Sequence, residues 1–282
     1  MPSKLLIHLL AAFIAALSTN SPADNWFAET PLASAYSALA NNNPELAWQE
    51  MQLALAEQEI NPAHWSAVKN AIIEKTQCGR LLSSSVHTDN KNRYRIKLSL
   101  QQKTNLVQQS FQLKVAIENP PQGTRVELTD RRGKVWLSGI TAAPQDDYIE
   151  VESNELLNLP KPGYFELHIA DLIYPLVLSR NKEGNWLELI NDTQSPLAVY
   201  LPTPSSGCAP AKVTWQWFTQ NFQIIGWPQP VSVNGQNQPQ PPGPQPENAK
   251  WLSTTVSTYE YQGGVKVEYL QRLTVPAGYY QF

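Results

Sequence analysis

The stretch RYRIKLSL, Arg93 to Leu100, sets Tyr94, Ile96, Leu98 and Leu100 on one side and Arg93, Arg95, Lys97 and Ser99 on the other. Strict alternation of this kind belongs to a strand with one buried face. SFQLKVAI repeats it with Phe111, Leu113, Val115 and Ile117. TRVELTDRRGKVWLSG then predicts a hairpin, with strands around Val126/Leu128 and Val135/Leu137 and a turn over Asp130–Gly133, where Gly133 can take positive φ. DYIEVES, PGYFELHIADL and PLVLS supply further strands. Short strands at this spacing, each with one apolar face, predict an antiparallel β-sandwich of immunoglobulin-like type over residues 90–181.

Upstream the period is helical. In NNNPELAWQEMQLALAEQ, Asn43 is placed to cap, Pro44 to open the helix, and Ala47, Trp48, Met51, Ala54 and Leu55 to share a face. NPAHWSAVKNAIIEKTQCG repeats the pattern, with Asn61, Pro62, a stripe of Trp65, Val68 and Ile72, and Gly79 as the stop. With PLASAYSALA ahead of them, these segments predict a small helical cap over residues 24–80. A single helix–turn–helix unit cannot bury its own apolar face, so the cap must pack on something larger.

Downstream, WLELI, LAVYL, KVTWQWF, FQIIGW, WLSTTVSTYEY and VKVEYLQRLTV are strand candidates, the last two joined at Gly263-Gly264. They predict a second immunoglobulin-like sandwich over residues 184–282. The segment from Trp227 to Trp251 carries seven of the chain's 23 prolines. Only 31 residues follow Trp251, too few for an independent domain. The proline-rich stretch 228–250 is therefore expected to be a long loop between paired strands, extended and solvated through PQPPGPQP.

The N-terminus has the pattern of a secretory signal peptide over residues 1–23. Lys4 is the basic residue, LLIHLLAAFIAAL the apolar run, and Ala16-Leu17-Ser18 or Ser21-Pro22-Ala23 the cleavage site. Thirteen residues are too few to span a membrane comfortably. The expected mature protein is periplasmic or secreted, with no transmembrane segment. Cleavage after Ala23 removes Lys4 and no acid, moving the net charge from −3 to −4. That mild acidity, without a basic run, speaks against nucleic acid and anionic membrane surfaces. The two cysteines, Cys78 and Cys208, are expected to form a disulfide in an oxidising compartment, tying the cap to the second sandwich.

Residues able to carry chemistry are sparse. His64, His87 and His168 have no metal-ligand spacing, and His168 in YFELHIADL points outward beside Glu166. No G-x-S-x-G or S-x-x-K pattern is present. Asp146, Asp147, Glu150, Glu152 and Glu155 form an acidic face without a calcium-loop pattern. These readings imply no metal, no cofactor and no enzyme. Binding is the alternative. Val213, Trp215 and Trp217 alternate onto one strand face, with Trp227 after a turn. Such indoles either fill the core, which the polar opposite face favours, or form a platform for sugar rings or a partner. If Trp215 and Trp217 are core, loop 228–250 becomes the contact surface, with PxxP spacing at Pro239/Pro242 and Pro241/Pro244.

The helical start, KPGYFELHI, the VTWQWF strand and the proline loop together resemble a family of uncharacterised exported proteins of Gram-negative bacteria, grouped under a domain of unknown function. The resemblance implies an association with envelope or cell-wall sensing and supplies no catalytic residues. LPKPGYFELHI also looks like a late strand of immunoglobulin-like modules. The expectation is a non-enzymatic accessory or interaction protein of the envelope, bound to an unidentified envelope protein. The alternative is glycan or peptidoglycan binding through Trp215, Trp217 and Trp227.

Overall fold

A computed structural model describes residues 30–83, 94–141, 148–179, 184–190 and 197–279. The expected signal peptide, His87, Asp146 and Asp147 lie outside the described residues.

Among the described residues three helices lead: α1 (Ala33–Ala40), α2 (Pro44–Glu57) and α3 (Pro62–Lys75). The Asn43 and Asn61 side chains accept from the Leu46 and Ala63 amides, satisfying orphan donors just inside the two proline-opened helices. Trp48, Met51 and Leu55 of α2 meet Trp65, Val68 and Ile72 of α3 in a core that also takes in Val177. The cap thus buries its apolar stripe on the β-structure.

Thirteen strands follow among the described residues. The first seven are β1 (Arg95–Thr104), β2 (Gln109–Glu118), β3 (Arg125–Asp130), β4 (Val135–Ile140), β5 (Tyr148–Glu152), β6 (Gly163–Ile169) and β7 (Leu172–Leu178). The next six are β8 (Leu187–Leu189), β9 (Leu197–Val199), β10 (Lys212–Phe218), β11 (Ile224–Pro230), β12 (Trp251–Gln262) and β13 (Val265–Pro276). A four-stranded sheet runs β4-β3-β6-β7, a two-stranded one pairs β8 with β9, and a seven-stranded sheet runs β11-β10-β12-β13-β1-β2-β5. Every pairing is antiparallel except β1 with β13.

That parallel seam sets Ile96 opposite Val265 and Thr104 opposite Leu273. The seven-stranded sheet is therefore continuous across the boundary drawn in the sequence at 181–184. Its core follows suit: Ile96, Leu98, Leu113 and Phe165 belong to one buried cluster with Trp186, Trp215, Leu252 and Val267. The alternation read from the sequence is what builds it, since Leu98, Leu113, Val115 and Leu128 are all fully buried. Three expected inward residues depart from it: Tyr94 and Phe111 are half-buried and Val135 is 46% exposed, with Phe111 bridging Leu156 near the start of β2.

Of the ties that hold the cap, three lie around Cys78 and Lys69. Cys78 and Cys208 form a disulfide, with Cα atoms 4.7 Å apart, joining the end of the helical segment to the chain ahead of β10. The Tyr261 amide donates to Cys78 O at 2.9 Å. Beside it, Gly79 has φ +77°, and a Cβ there would lie 1.8 Å from Tyr261 O, so only glycine lets the backbones meet.

The third tie is polar and buried. Lys69 of α3, 1% exposed, donates to Glu260 Oε1 of β12 at 2.5 Å and to Ser179 Oγ at 3.0 Å. Tyr269 Oη and Gln262 Nε2 donate to the same carboxylate oxygen, and the Gln262 amide also bonds both backbone groups of Val177. Cap, β7 and the β12–β13 hairpin are thereby joined at one point.

Candidate functional site

The seven-stranded sheet has a second face, opposite the core. Register places Lys103 of β1 beside Ser110 of β2 and Arg272 of β13. It places Ser253 and Trp251 of β12 beside Thr274 and Pro276, and Phe218 of β10 beside Trp251. Residues two apart on five strands thus converge on one side. The β1–β2 connection with Leu106 and Val107, and the β10–β11 turn with Phe222, rise over them as walls. The result is a cleft of about 600 Å³. Volumes of several hundred Å³ suit small-molecule sites.

Its walls are apolar and open. Val107 is 93% exposed, Leu106 and Phe222 are also exposed, and the Phe222 ring stacks on Trp251 at 5.1 Å between centroids and 13° between planes. Its floor is polar. Ser253 Oγ and Thr274 Oγ1 lie 2.6 Å apart and satisfy one another. Lys103 is 3.7 Å from Glu155 at the rim. Arg272 has no ion pair among the described residues, and its buried Nε has no acceptor. Burial lowers its pKa, and the field of Glu152 opposes that shift. The indole Nε1 of Trp251 is likewise buried without an acceptor.

A larger groove of about 940 Å³ lies at the other end of the same sheet, lined by Arg80, Arg95, Lys97, Tyr148, Tyr261 and Lys266. Its cations are engaged already. Arg95 pairs with Glu118 and Lys97 with Glu268, while Arg80 and Lys266 stand over the rings of Tyr261 and Tyr259. The smaller cleft, with its unpaired guanidinium, is the better candidate.

The residues singled out in the sequence fall elsewhere. Trp215 and Trp217 are each 2% exposed, inside the main core, so they form no surface platform with Trp227. Their side of β10 faces Thr254 and Leu252 of β12, and burial of two indoles outweighs any surface use. Trp227, on edge strand β11, is 90% exposed. The proline loop departs from the extended, solvated form expected of it. Pro239 and Pro242 are buried, Pro241 and Pro244 exposed, and Val233 bridges Pro239. Trp215 Nε1 donates to Gln240 O at 2.9 Å, drawing the loop onto the core.

The acidic face is also altered by its neighbours. Glu150 and Glu152 both pair with Lys114, at 2.7 and 2.5 Å, so the two carboxylates share one cation. His168 is 3.1 Å from Glu166, which also accepts from Tyr164 Oη, on a partly exposed strand face. Among the described residues no group of three or more histidines, cysteines and acids is placed to hold a metal ion. None of the cleft residues except Phe218, Phe222 and Trp251 lay in a stretch the sequence had marked for binding. The available signal was alternation itself, which puts Lys103, Arg272 and Thr274 on the side away from the core.

Together these features define a mainly β protein with an N-terminal helical cap, a disulfide, and an apolar-walled, cationic-floored cleft on its open sheet face. Among the described residues no helix is long and apolar enough to cross a membrane. The chain belongs to the family described as "Protein of unknown function (DUF2861)", whose model matches residues 26–278. No curated protein matches it.

Proposed function

We propose that the protein is an exported, non-enzymatic binding module of the cell envelope, which meets a protein partner through the apolar margin of β11. The observation that carries this reading is the exposure of three large apolar side chains within six residues: Phe222 at 58%, Ile224 at 68% and Trp227 at 90%. Aromatic rings held in water on a folded edge are the usual anchors of protein contacts. Pro228 and Pro230 remove ladder donors from the same strand, so a partner would grip side chains instead of adding a strand. The disulfide fits an extracytoplasmic setting. Glycan binding loses support, because two of its three tryptophans are core residues.

In the same reading, β1–β7 form an immunoglobulin-like sandwich, with β1-β2-β5 facing β4-β3-β6-β7. Strands β8–β13 make up the remainder of the expected second sandwich. Modules of this architecture commonly display contact residues at strand ends and edges, as here.

The test is a photoreactive side chain at position 227, cross-linked in intact envelopes, with Val135 on the four-stranded sheet as the control position. One discrete protein adduct from 227, lost on Ile224→Asp, is the expected result. Equal labelling from both positions, or none from 227, removes the reading.

A further inference from the structure

Beside the β11 margin, with which it shares Phe222, the cleft on the open sheet face has a composition that selects a ligand. Its walls offer Leu106, Val107, Phe222, Trp251 and Pro276 to an apolar body. Its polar groups are the hydroxyls of Ser110, Ser253 and Thr274, the cations Lys103 and Arg272, and one carboxylate, Glu155 at the rim. Arg272 lines the cleft without an ion pair among the described residues. Its Nε and the Trp251 indole N–H are both buried without acceptors. The carboxylate closest to it in charge effect, Glu152, is held by Lys114 at 2.5 Å and by Gln112 at 3.0 Å. Lys103, opposite Arg272 in the ladder, adds a second positive charge, partly met by Glu155 at 3.7 Å.

A half-buried guanidinium without a counter-ion presents an uncommitted charge in an apolar-walled cleft, and an anion that meets it gains charge-assisted hydrogen bonds. Uncharged sugars would leave the charge unmet, and a second cation would be repelled. A dianion would find only Arg272 with its charge wholly uncommitted. A carboxylate matches the planar fork of arginine with two acceptor oxygens.

We propose that this cleft is a binding site for a monocarboxylate carried on an apolar body, with the carboxylate on Arg272 and the body between Val107 and the Phe222–Trp251 ring pair. Such a group occurs on free aryl- or alkyl-carboxylic acids and at the C-terminus of a peptide ending in an apolar residue. Both present the same chemistry to the site.

The experiment is calorimetric titration of the mature, disulfide-bonded chain with 3-phenylpropionate, with decanoate, and with the primary amide of each. A short peptide ending in free phenylalanine and its C-terminally amidated form make the second arm. At least one acid should bind saturably at millimolar concentration or below, about 10- to 100-fold tighter than its amide. Arg272→Met should bring the acid down to the affinity of the amide while leaving the amide unchanged. Should that variant fail to fold, Val107→Asp, at an exposed wall position, puts a like charge at the mouth and should weaken the acid more than the amide. Preference for the peptide acid over the small acids assigns the site to chain termini, and the reverse assigns it to free acids. The proposal is overturned if acid and amide bind alike, if no acid saturates, or if a folded Arg272→Met or Val107→Asp variant still discriminates as the native chain does.

Discussion

Lys69 shows how one side chain can decide the seating of a whole segment. Burial opposes its charge, but the Glu260 carboxylate and the hydrogen bond to it more than offset that and raise its pKa above the ordinary value of 10.5. Lys69→Met leaves Glu260 in the interior without its cation and should cost about 3–5 kcal/mol. The sign of the pH dependence follows. A group whose folded pKa is raised stabilises fully below its unfolded value and loses that contribution as pH rises through the folded one. The difference in melting temperature between native protein and Lys69→Met should be constant near neutral pH and shrink above about pH 10.5. A constant difference up to pH 11 would show that packing, not charge, holds the cap. None of this was legible in NPAHWSAVKNAIIEK, where Lys69 reads as one more solvated helix lysine. Arg272 was hidden for the same reason: VKVEYLQRLTV shows which way it points but not whether an acid stands opposite.

Among the elements, β10 was the most readable. Its polar side predicted that Trp215 and Trp217 belong to the core, and both are buried there. What periodicity could not convey is that Trp215 also fastens the proline loop. Trp215→Phe keeps a large ring in the core but removes the bond to Gln240 O. The expected loss is about 1–2 kcal/mol, with faster proteolytic cutting between residues 231 and 250 than elsewhere in the chain. Unchanged cutting would mean that the buried Pro239 and Pro242 hold the loop unaided. Composition misled here because proline disfavours ladders without disfavouring burial. The helices were legible for the opposite reason. Their signals are local: Asn43-Pro44 and Asn61-Pro62 start helices by contacts within a few residues, and those contacts are present.

For the molecule as a whole, the two β-rich segments look self-sufficient in sequence, yet a single buried cluster runs through both. Strand alternation says which face is buried and says nothing about which strand lies alongside. The β1–β13 pairing therefore had no signature. Because that seam shares hydrogen bonds and core between the segments, urea unfolding should be one transition. Tryptophan fluorescence, with five of the nine indoles in the later segment, and far-ultraviolet circular dichroism, reporting on all strands, should give the same midpoint. Two separated midpoints would show that the segments unfold as independent units.

The seam also imposes an order of events on biosynthesis. β1 leaves the ribosome well before β13, the last of the described strands. Until β13 arrives, one edge of β1 stays unpaired, and pairing strands this distant along the chain is slow. A nascent chain must carry that open edge from Thr104 until Val265 is made, a state suited to being held by a chaperone. Premature termination anywhere before Val265 leaves the edge permanently open. Strand β13 acts as the fastener, so the main sheet closes only once Val265–Pro276 has been made.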